Sequence, residues 1–457
     1  MKGCLSQNQI NYVLFHVNQI VEVSTEIQDR MVFIIDHNDI NKHSGKIIFL
    51  LSDKEFRVEE VKMIGEIPIL FPILDKQEFY SYRGTNLVFS DDILKSAFYL
   101  LSGYQEYKFL HRDHLNRFPF DESVQKRLKI MHKPIVNYYF KVFQLGIEQF
   151  CFVENIKFKK SKKLFSDFGF LLSHDVDRID YYDGYFLGYK VKELLGMVKR
   201  KYSWFLTLKL FLKGITQYFK FWNRENPYWN FDFLRQVESE NDFKSTFFFL
   251  PKDQKHVDSY YELSELRIIS LIKNLQNQGC EIGLHGAVRT VRNRELMIEH
   301  NRELNNILGQ RVKGIRQHRL IFEIPGTSII QSESGFKYDA SLGFASHEGF
   351  RNSYCFPFKL YDFENDRMID HWEFPLMVMD STLFEYRKLN FEEAFSILKD
   401  LISEAKKFHG IFTLLWHNSY FDELKHKGIT AFYKNMLKEI KLQNAESILG
   451  SDLLNRL

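Results

Sequence analysis

Two aspartates separated by one residue are the first feature of this sequence that points to chemistry. Asp175 and Asp177 follow the apolar run Phe168–Leu172, and residues two apart in an extended segment face the same side. Two close carboxylates repel each other, so their pKa values tend to separate. A divalent cation between them and an imidazole relieves that repulsion. The pair therefore predicts a metal ligand, a general base, or one of each.

Other polar side chains end apolar runs in the same way. They are His285 after Glu281–Leu284, Arg316 and His318 at the end of Gly314–Arg316, Asp380 after Trp372–Leu376, and His417 after Ile411–Leu415. Unpaired buried acids and imidazoles cost free energy, so this recurrence indicates a functional site. Oxygen and imidazole ligands together suit zinc, cobalt, manganese or iron rather than magnesium or calcium. We expect a divalent metal, with zinc as the first choice, and His417 placed to protonate a leaving group.

An alternation of short apolar runs and longer amphipathic stretches must position these side chains. The strand candidates are Phe168–Leu172, Ser245–Leu250, Glu281–Leu284, Gly314–Arg316, Tyr338–Leu342, Trp372–Leu376 and Ile411–Leu415. Helical periodicity lies between them, over Phe231–Glu240, Leu263–Gln278, Arg294–Leu308 and Phe391–Phe408. The alternation predicts parallel strands with helices outside, as a barrel or a strongly twisted open sheet. In such α/β folds the active site lies at the carboxyl ends of the strands.

Our prediction for the fold class is therefore α/β, with two parts. Residues 165–457 are predicted to form an irregular seven-stranded (β/α) barrel, and residues 1–155 a smaller α/β domain before it. The boundary is placed at a lysine-rich link over residues 157–163, where the pattern of apolar runs changes.

Composition excludes several classes of protein. Lys and Arg number 62 against 59 Asp and Glu, for a formal net charge of +3, which gives no global argument for nucleic acid. The four cysteines form no CxxC pair, so a disulfide framework and a thiolate metal site are not expected. No apolar run approaches the length of a membrane span and no leader pattern opens the sequence. We expect a cytoplasmic protein without a nucleic-acid partner.

A basic insertion interrupts the predicted barrel at about residues 184–225. Its segment Tyr189–Phe221 carries eight Lys and Arg against one Glu, together with Trp204, Phe205 and other large apolar residues. One interpretation is a helix on a membrane surface, which would give the protein a peripheral membrane contact. The other, which we favour, is a helical excursion that packs on the barrel with a solvated basic face.

Taken in order, these motifs resemble the polysaccharide deacetylase superfamily, which is built around the NodB homology domain. The matching segments are Leu171–Asp177, Ser245–Pro251, Glu281–Gly286, Gly314–His318 and Leu415–His417. Asn226–Phe231, Tyr338–Phe344, Phe374–Leu376 with Asp380, Leu415–Asn418, Ala97–Ser102, Tyr107 and Arg117-Phe118 resemble a bacterial subgroup with an extra N-terminal domain. The resemblance covers nearly the whole chain.

The resemblance implies a role for each matching residue. Asp175 matches the general base, Asp177 and His285 match metal ligands, Arg316 matches the residue that orients the base, and His417 matches the general acid. The family's two acids are adjacent, whereas Val176 stands between them here, so the first two roles are interchangeable. The substrate is expected to contact His174, Leu415, Trp416, Asn418 and Asp380.

One position departs from the family's pattern. The family has a second histidine four residues after the first, and Arg289 stands there in this sequence. His318 or His174 is then needed to supply the missing nitrogen, and we choose His318 as the third ligand.

The resemblance implies hydrolysis of a C–N amide bond, with an N-acetyl group on an amino sugar of a polysaccharide or its precursor as the simplest substrate. Hydrolysis of a cyclic amide is a further option on the same fold. The alternative is a catalytically decayed carbohydrate-binding or scaffold protein, which the Arg289 substitution favours. Retention of Asp175, Asp177, Arg316 and His417 favours the enzyme.

Overall fold

The structure is a computed structural model that describes residues 3–200, 202–219, 225–253 and 258–457. The strands of these residues are β1 (Met31–Ile34), β2 (Ile47–Leu50), β3 (Lys62–Ile64), β4 (Ile67–Ile69), β5 (Tyr80–Arg83), β6 (Asn86–Phe89), β7 (Phe168–Val176), β8 (Ser245–Phe249), β9 (Glu281–Gly286), β10 (Gly314–Gln317), β11 (Tyr338–Asp339), β12 (Phe358–Asp362), β13 (Arg367–Glu373), β14 (Val378–Met379), β15 (Ile411–Leu415) and β16 (Ala445–Ser447).

The α-helices of the same residues follow in chain order. They are α1 (Gln7–Val17), α2 (Thr25–Gln28), α3 (Ile93–Leu101), α4 (Tyr104–Lys108), α5 (Val124–Arg127), α6 (Ile135–Val153), α7 (Gly184–Leu194), α8 (Trp204–Tyr218), α9 (Phe231–Glu240), α10 (Leu266–Asn277), α11 (Arg294–Leu308), α12 (Gly326–Glu333), α13 (Phe391–Phe408), α14 (Ile429–Leu442) and α15 (Gly450–Leu453). Within this part of the chain, no helix has both the length and the apolar character needed to cross a membrane.

A small sheet is built from the first part of the chain, in the order β1-β2-β6-β5. Its first three strands are parallel, and β5 pairs antiparallel with β6. Phe49 of β2 stacks on Phe89 of β6 with ring centroids 4.5 Å apart, and Phe143 of α6 stacks on both. Helix α6 therefore covers one face of this sheet with aromatic side chains.

A large sheet carries the predicted functional residues. Nine strands follow the order β12-β13-β11-β10-β9-β8-β7-β15-β14, and β16 pairs with β7 beside them. The neighbours are parallel except for the β12–β13 hairpin. The predicted α/β class is confirmed, and the seven predicted strands overlap β13, β11, β10, β9, β8, β7 and β15, which are contiguous in the sheet. Two of them match only in part, because Trp372–Leu376 shares only its first two residues with β13, and Tyr338–Leu342 only its first two with β11.

The predicted irregular seven-stranded barrel is not confirmed, because the sheet is a curled half-barrel that ends at β12 and β14. Strands β12, β14 and β16 were not predicted. Between β13 and β14 the chain runs across the open side of the half-barrel without forming a strand ladder. Hydrogen bonds to the side chain of Thr413 in β15 take the place of that ladder. The Thr413 hydroxyl donates to the Pro375 carbonyl at 2.5 Å and accepts from the Met377 amide at 2.8 Å.

Local sequence signals account for most of the helices around this sheet. The predicted helices Phe231–Glu240, Arg294–Leu308 and Phe391–Phe408 have the predicted bounds, and Leu263–Gln278 is shortened to α10. Helix α13 shows why, because Asn390 and Glu393 close a capping box at its start. One apolar stripe of α13 is buried, as expected for a helix that covers a sheet.

The two parts of the chain share one hydrophobic core. The same buried cluster includes Leu5 near the start and Leu453 near the end. Tyr12 of α1 packs on Tyr361 of β12 at 5.3 Å, and its hydroxyl donates to the Lys359 carbonyl at 2.7 Å. A separate N-terminal domain is not confirmed, and the boundary between residues 155 and 165 stays a prediction.

The basic insertion forms two helices, α7 and α8, that contact each other. Residues 201 and 220–224 of the predicted insertion lie outside the described residues. Tyr182, Phe186 of α7 and Leu210 of α8 form a small buried cluster of their own, apart from the main core.

Candidate active site

The carboxyl edge of the large sheet brings the predicted residues to one cavity. Asp175 lies in β7, Asp177 directly follows it, His285 lies in β9, and His318 and His417 follow β10 and β15. Because these strands are parallel neighbours, their carboxyl ends meet at one edge of the sheet. These five side chains line a cavity of about 280 Å³.

Three side chains form a group that can hold a metal ion. Ligand atoms of Asp177, His285 and His318 all lie within 4.8 Å of one another. The Asp177 carboxylate is 3.1 Å from His285 Nε2 through Oδ1 and 3.7 Å from His318 Nε2 through Oδ2. One carboxylate and two imidazoles are a donor set that suits zinc or another first-row transition metal. The predicted ligands therefore fit a divalent metal.

Backbone contacts fix the orientation of the His285 ring. Its Nδ1 donates to the Arg316 carbonyl at 2.8 Å, which leaves Nε2 directed at the two aspartates. A metal-ligating histidine usually donates its second nitrogen in this way. Burial alone would raise the pKa of Asp177, but the imidazoles of His318, His285 and His417 hold it well below its usual range.

His318 stands on an unusual backbone segment. Arg319 and Leu320, which follow it, both have left-handed backbone conformations, with φ of 61° and 55°. Such conformations cost free energy for residues other than glycine and cluster at functional sites. On its other side, His318 Nδ1 is 3.5 Å from Asp258 Oδ1. The ring is therefore held between two carboxylates, those of Asp177 and Asp258.

Asp175 is fixed by a buried arginine. Arg316 Nη1 donates to Asp175 Oδ1 at 2.8 Å and to Ser173 Oγ at 2.9 Å, while Nε donates to the Ala340 carbonyl at 2.8 Å. The guanidinium lies over the Phe248 ring at 4.5 Å. Asp175 Oδ2 is 3.6 Å from His285 Nε2. The arginine thus orients the Asp175 carboxylate toward the candidate metal ligands.

His417 is held by Asp380 on the opposite side of the cavity. Its Nδ1 lies 2.8 Å from Asp380 Oδ1, and its backbone amide donates to Asp380 Oδ2 at 2.5 Å. His417 Nε2 is then 3.7 Å from Asp177 Oδ2. Burial lowers the pKa of His417, but Asp380, Asp177 and Asp175 raise it to about 10. This imidazole can therefore carry a proton at neutral pH.

Arg289, at the position of the family's second histidine, is engaged elsewhere. Its Nη1 lies 2.7 Å from Asp253 Oδ1 and 3.1 Å from Oδ2, and it does not line the cavity. The structure brings His318 to the ligand group instead.

The structure does not bring every predicted substrate contact to the cavity. His174 is fully buried on the other face of β7, with its nitrogens 2.6 Å from the Trp416 carbonyl and 2.7 Å from Glu238 Oε1. Trp416 is buried among aromatic rings. Asn418 Nδ2 donates to the carbonyls of Arg178 and Tyr228, both at 2.8 Å. These three side chains support the strand ends instead.

Leu415 and Asp380 lie one layer behind the cavity wall. Leu415 packs with Leu320, Ala345 and Met379, which do line the cavity. Asp380 contacts the cavity wall through His417 and through Ser381, whose backbone amide donates to Asp380 Oδ1 at 2.5 Å.

Sequence reasoning missed several residues of the cavity wall. Leu115 and Arg117 come from the first part of the chain. Asp113 holds Arg117 through Nε at 2.9 Å and Nη2 at 2.8 Å. Arg117 was noted only through the family resemblance, and Asp258, which contacts His318 behind the wall, comes nine residues after the end of β8. The remaining missed wall residues are Arg319, Leu320, Ala345, Met379, Ser381, Glu385 and Tyr386.

Comparisons with known proteins give limited results. Residues 4–151 match the model of a family of unknown function, DUF7033. No curated protein matches this chain.

Solved structures with some similarity belong to carbohydrate-active proteins. A protein of Mycobacterium smegmatis assigned as a polysaccharide deacetylase has a TM-score of 0.41 and 15% identity, over 63% of this chain and 88% of that one. A CE4 family pseudoenzyme of Bacillus anthracis has a TM-score of 0.32 and 11% identity, over 64% of this chain and 66% of that one. A family 4 carbohydrate esterase of Streptomyces lividans in complex with acetate has a TM-score of 0.30 and 9% identity, over 62% of this chain and 93% of that one. At these TM-scores the likenesses carry no argument, so the function proposed below depends on this chain's own residues.

Proposed function

We propose that this protein is a divalent-metal-dependent hydrolase of a C–N amide bond, and that it removes the N-acetyl group from an amino sugar of a polysaccharide or its precursor. One observation carries the proposal. The Asp177, His285 and His318 group lies in one cavity between an arginine-held carboxylate and an aspartate-held imidazole. A cytoplasmic location and the lack of a nucleic-acid partner stay predictions from composition.

The structure supports a division of roles between the two aspartates that the sequence left interchangeable. Asp177 lies between the two imidazoles of the ligand group, so it is the ligand. Asp175 is bound to Arg316, which fixes its orientation. We therefore assign Asp175 as the general base.

Each side chain then has one step in the hydrolysis. Asp175 takes a proton from the attacking water as the water oxygen bonds to the acyl carbon. His417 gives the proton on Nε2 to the amide nitrogen as the C–N bond breaks, which releases an amine and a carboxylate. Asp380 keeps Nδ1 occupied, so Nε2 faces the cavity. When bound by Asp177, His285 and His318, a divalent cation supplies Lewis-acid polarisation of the acyl oxygen.

The test is metal content together with acetate release. We expect close to one zinc, cobalt, manganese or iron per wild-type chain, and its loss in Asp177→Ala, His285→Ala and His318→Ala. Elemental analysis measures the metal, and N-acetylglucosamine oligomers serve as the deacetylation substrate. The exposed His114→Ala is the matched control and should keep the metal. Absence of metal from the wild type under every loading condition contradicts the proposal.

A decayed carbohydrate-binding or scaffold protein is the second candidate, and the engagement of Arg289 with Asp253 favours it. It predicts oligosaccharide binding by calorimetry without metal and without acetate release. Acetate release that disappears in Asp175→Asn and His417→Ala excludes this candidate.

A further inference from the structure

The α7–α8 hairpin, defined as residues 184–200 and 202–219, is richer in exposed large apolar side chains, residue for residue, than the rest of the described chain. Of the 24 large hydrophobic side chains that are exposed among the described residues, eleven lie in this hairpin, which is less than a tenth of the chain. Phe205 is 80% exposed, Leu195 70% and Phe219 68%. Concentrated exposed apolar surface marks an interaction site in a folded protein.

Packing within the hairpin uses the opposite face of α8. Phe186 of α7 lies so close to Gly214 of α8 that a Cβ at Gly214 would come within 2.7 Å of the ring. The residues that α8 buries follow a helical stripe, and they are Thr207, Leu210, Gly214 and Gln217. The apolar residues on the other side of α8 have no part in this packing.

The exposed side of α8 forms a stripe of its own. Its members are spaced four, three, four and three residues apart, which places them on one face of a helix, and they are Phe205, Lys209, Leu212, Thr216 and Phe219. This stripe joins bulky apolar side chains to a lysine. The interpretation that the insertion packs on the sheet with a solvated basic face leaves these apolar side chains unexplained.

The charge of the hairpin is almost entirely positive. Its exposed cations include Lys192, Lys199, Arg200 and Lys209. Glu193 is the one acid among the described residues of the hairpin, and it is buried with Lys190 Nζ 2.6 Å from its carboxylate. Aromatic and aliphatic side chains beside these exposed cations match a surface that offers both acyl chains and phosphates.

We propose that the α7–α8 hairpin anchors the protein on the surface of a bilayer that contains anionic lipids. The 15 residues of α8 span about 22 Å at 1.5 Å per residue, so the helix lies along the interface. Phe205, Leu212 and Phe219 enter the acyl boundary, and the cations contact lipid phosphates. An acidic protein surface would match the charge but leaves the aromatic stripe without an apolar cover.

The anchor is attached at the same edge of the large sheet as the cavity. Helix α7 begins at Gly184, seven residues after Asp177. Its N-cap Asp183 binds Arg178 Nη2 at 2.6 Å, which ties the hairpin to the end of β7. Membrane binding therefore brings the cavity edge toward the bilayer. The proposal does not depend on hydrolysis, because its readout is binding alone.

The experiment is flotation of the full-length protein with vesicles. We expect binding to phosphatidylcholine vesicles that contain about a third phosphatidylglycerol, and far weaker binding to phosphatidylcholine alone. The variant Phe205→Gln/Leu212→Gln/Phe219→Gln should lose on the order of tenfold in partition for each residue. The variant Lys192→Gln/Lys199→Gln/Lys209→Gln should lose roughly fivefold for each charge, and added salt should weaken wild-type binding.

Matched controls remove equivalent side chains elsewhere. Phe152 and Leu266 are 87% and 82% exposed, and Phe152→Gln/Leu266→Gln should bind vesicles as the wild type does. Lys157→Gln/Lys162→Gln/Lys163→Gln controls for charge. The proposal is overturned if the wild type does not float with anionic vesicles, or if the hairpin variants float equally well. It is also overturned if sedimentation shows that the wild type is a dimer and the hairpin variants are monomers while vesicle binding is unchanged. In that case the exposed face of the hairpin is an interface between two copies of the protein.

Discussion

Asp380 controls which nitrogen of His417 reaches the cavity. One carboxylate oxygen is 2.8 Å from Nδ1, and the other accepts the His417 backbone amide. Because Nδ1 is occupied, Nε2 is the nitrogen that faces Asp177 at 3.7 Å. Asp380 is thus a positioning residue that acts through His417.

Asp380→Asn should therefore lower kcat by about a hundredfold or more while KM changes little. An amide in this position stabilises a wrongly oriented or wrongly protonated imidazole, which affects proton donation but not substrate binding. Steady-state deacetylation kinetics and metal content measure the effect. Asp370→Asn, at a side chain that is 95% exposed, is the control. A parallel loss of metal in Asp380→Asn would contradict a positioning role.

The site residues could be predicted where they lie at the carboxyl end of a strand, and less well in other segments. Asp175, Asp177, His285 and His417 follow from the rule that parallel strands end at one edge. His174 precedes Asp175 by one residue, so strand alternation alone directs it to the opposite face. Asp258 comes nine residues after β8, and Arg117 follows helix α4, so neither stands directly at a strand end where the sheet pattern would mark it.

At the scale of elements, His16 joins helix α1 to strand β12. Its Nδ1 donates to the Tyr12 carbonyl at 2.8 Å, and its Nε2 accepts the Lys359 amide at 3.1 Å. Both bonds are made by the neutral ring. Burial lowers the pKa of His16 to about 3, against the upward effect of the Tyr12 carbonyl and with a small downward effect of Lys359.

This shift makes stability depend on pH in one direction. Between pH 6.5 and about 3 the unfolded chain binds a proton at His16 that the folded chain does not, so stability falls as pH falls. Above pH 6.5, His16 makes no contribution to the pH dependence of the free energy of unfolding. The expected loss is about 1.4 kcal/mol per pH unit, or about 2–3 kcal/mol from pH 6.5 to 4.5.

Urea unfolding at pH 7 and pH 4.5 measures the effect by comparing the wild type with His16→Gln. The difference isolates His16, because His371 is also buried, with a pKa of about 4, and contributes to both proteins. The exposed His37→Gln should keep the wild-type pH dependence. An unchanged slope in His16→Gln would show that His16 does not cause it.

Among the strands, those of the parallel sheet could be predicted because buried parallel strands are apolar throughout. Strands β14 and β16 have two and three residues, too few to show a pattern. That the sheet forms an open half-barrel instead of a barrel could not be predicted either. It depends on how the chain around Pro375 contacts Thr413, which is a tertiary contact.

At the scale of the whole molecule, a buried ion pair connects α4 to the large-sheet region. Arg351 Nε and Nη2 lie 2.8 and 2.5 Å from the two oxygens of Glu106, and Nη1 donates to the Gly343 carbonyl at 2.9 Å. The side chains are 2% and 3% exposed. Removal of one partner would leave the other charge buried without compensation.

Glu106→Gln should reduce the free energy of unfolding by about 3 kcal/mol or more. Chemical denaturation measures it, and Lys441→Gln, at an exposed pair with Asp242, should change stability little. A loss in Glu106→Gln no larger than that of the surface control would mean that the pair is hydrated in solution.

The division of the chain into domains could be predicted only in part. The lysine-rich link over residues 157–163 marks a change of pattern, but contacts such as Glu106 with Arg351 are invisible in a sequence. The core cluster that runs from Leu5 to Leu453 depends on the same kind of long-range contact.

That continuous core has a consequence for how the protein loses its structure. Unfolding of either part would expose buried side chains of the other, so we expect heat to unfold the two parts together. A lesion in the first 155 residues then shortens the lifetime of the cavity even when it lies far from Leu115 and Arg117, the two residues of this part that line the cavity. Selection on the cavity would in this way extend to the first part of the chain.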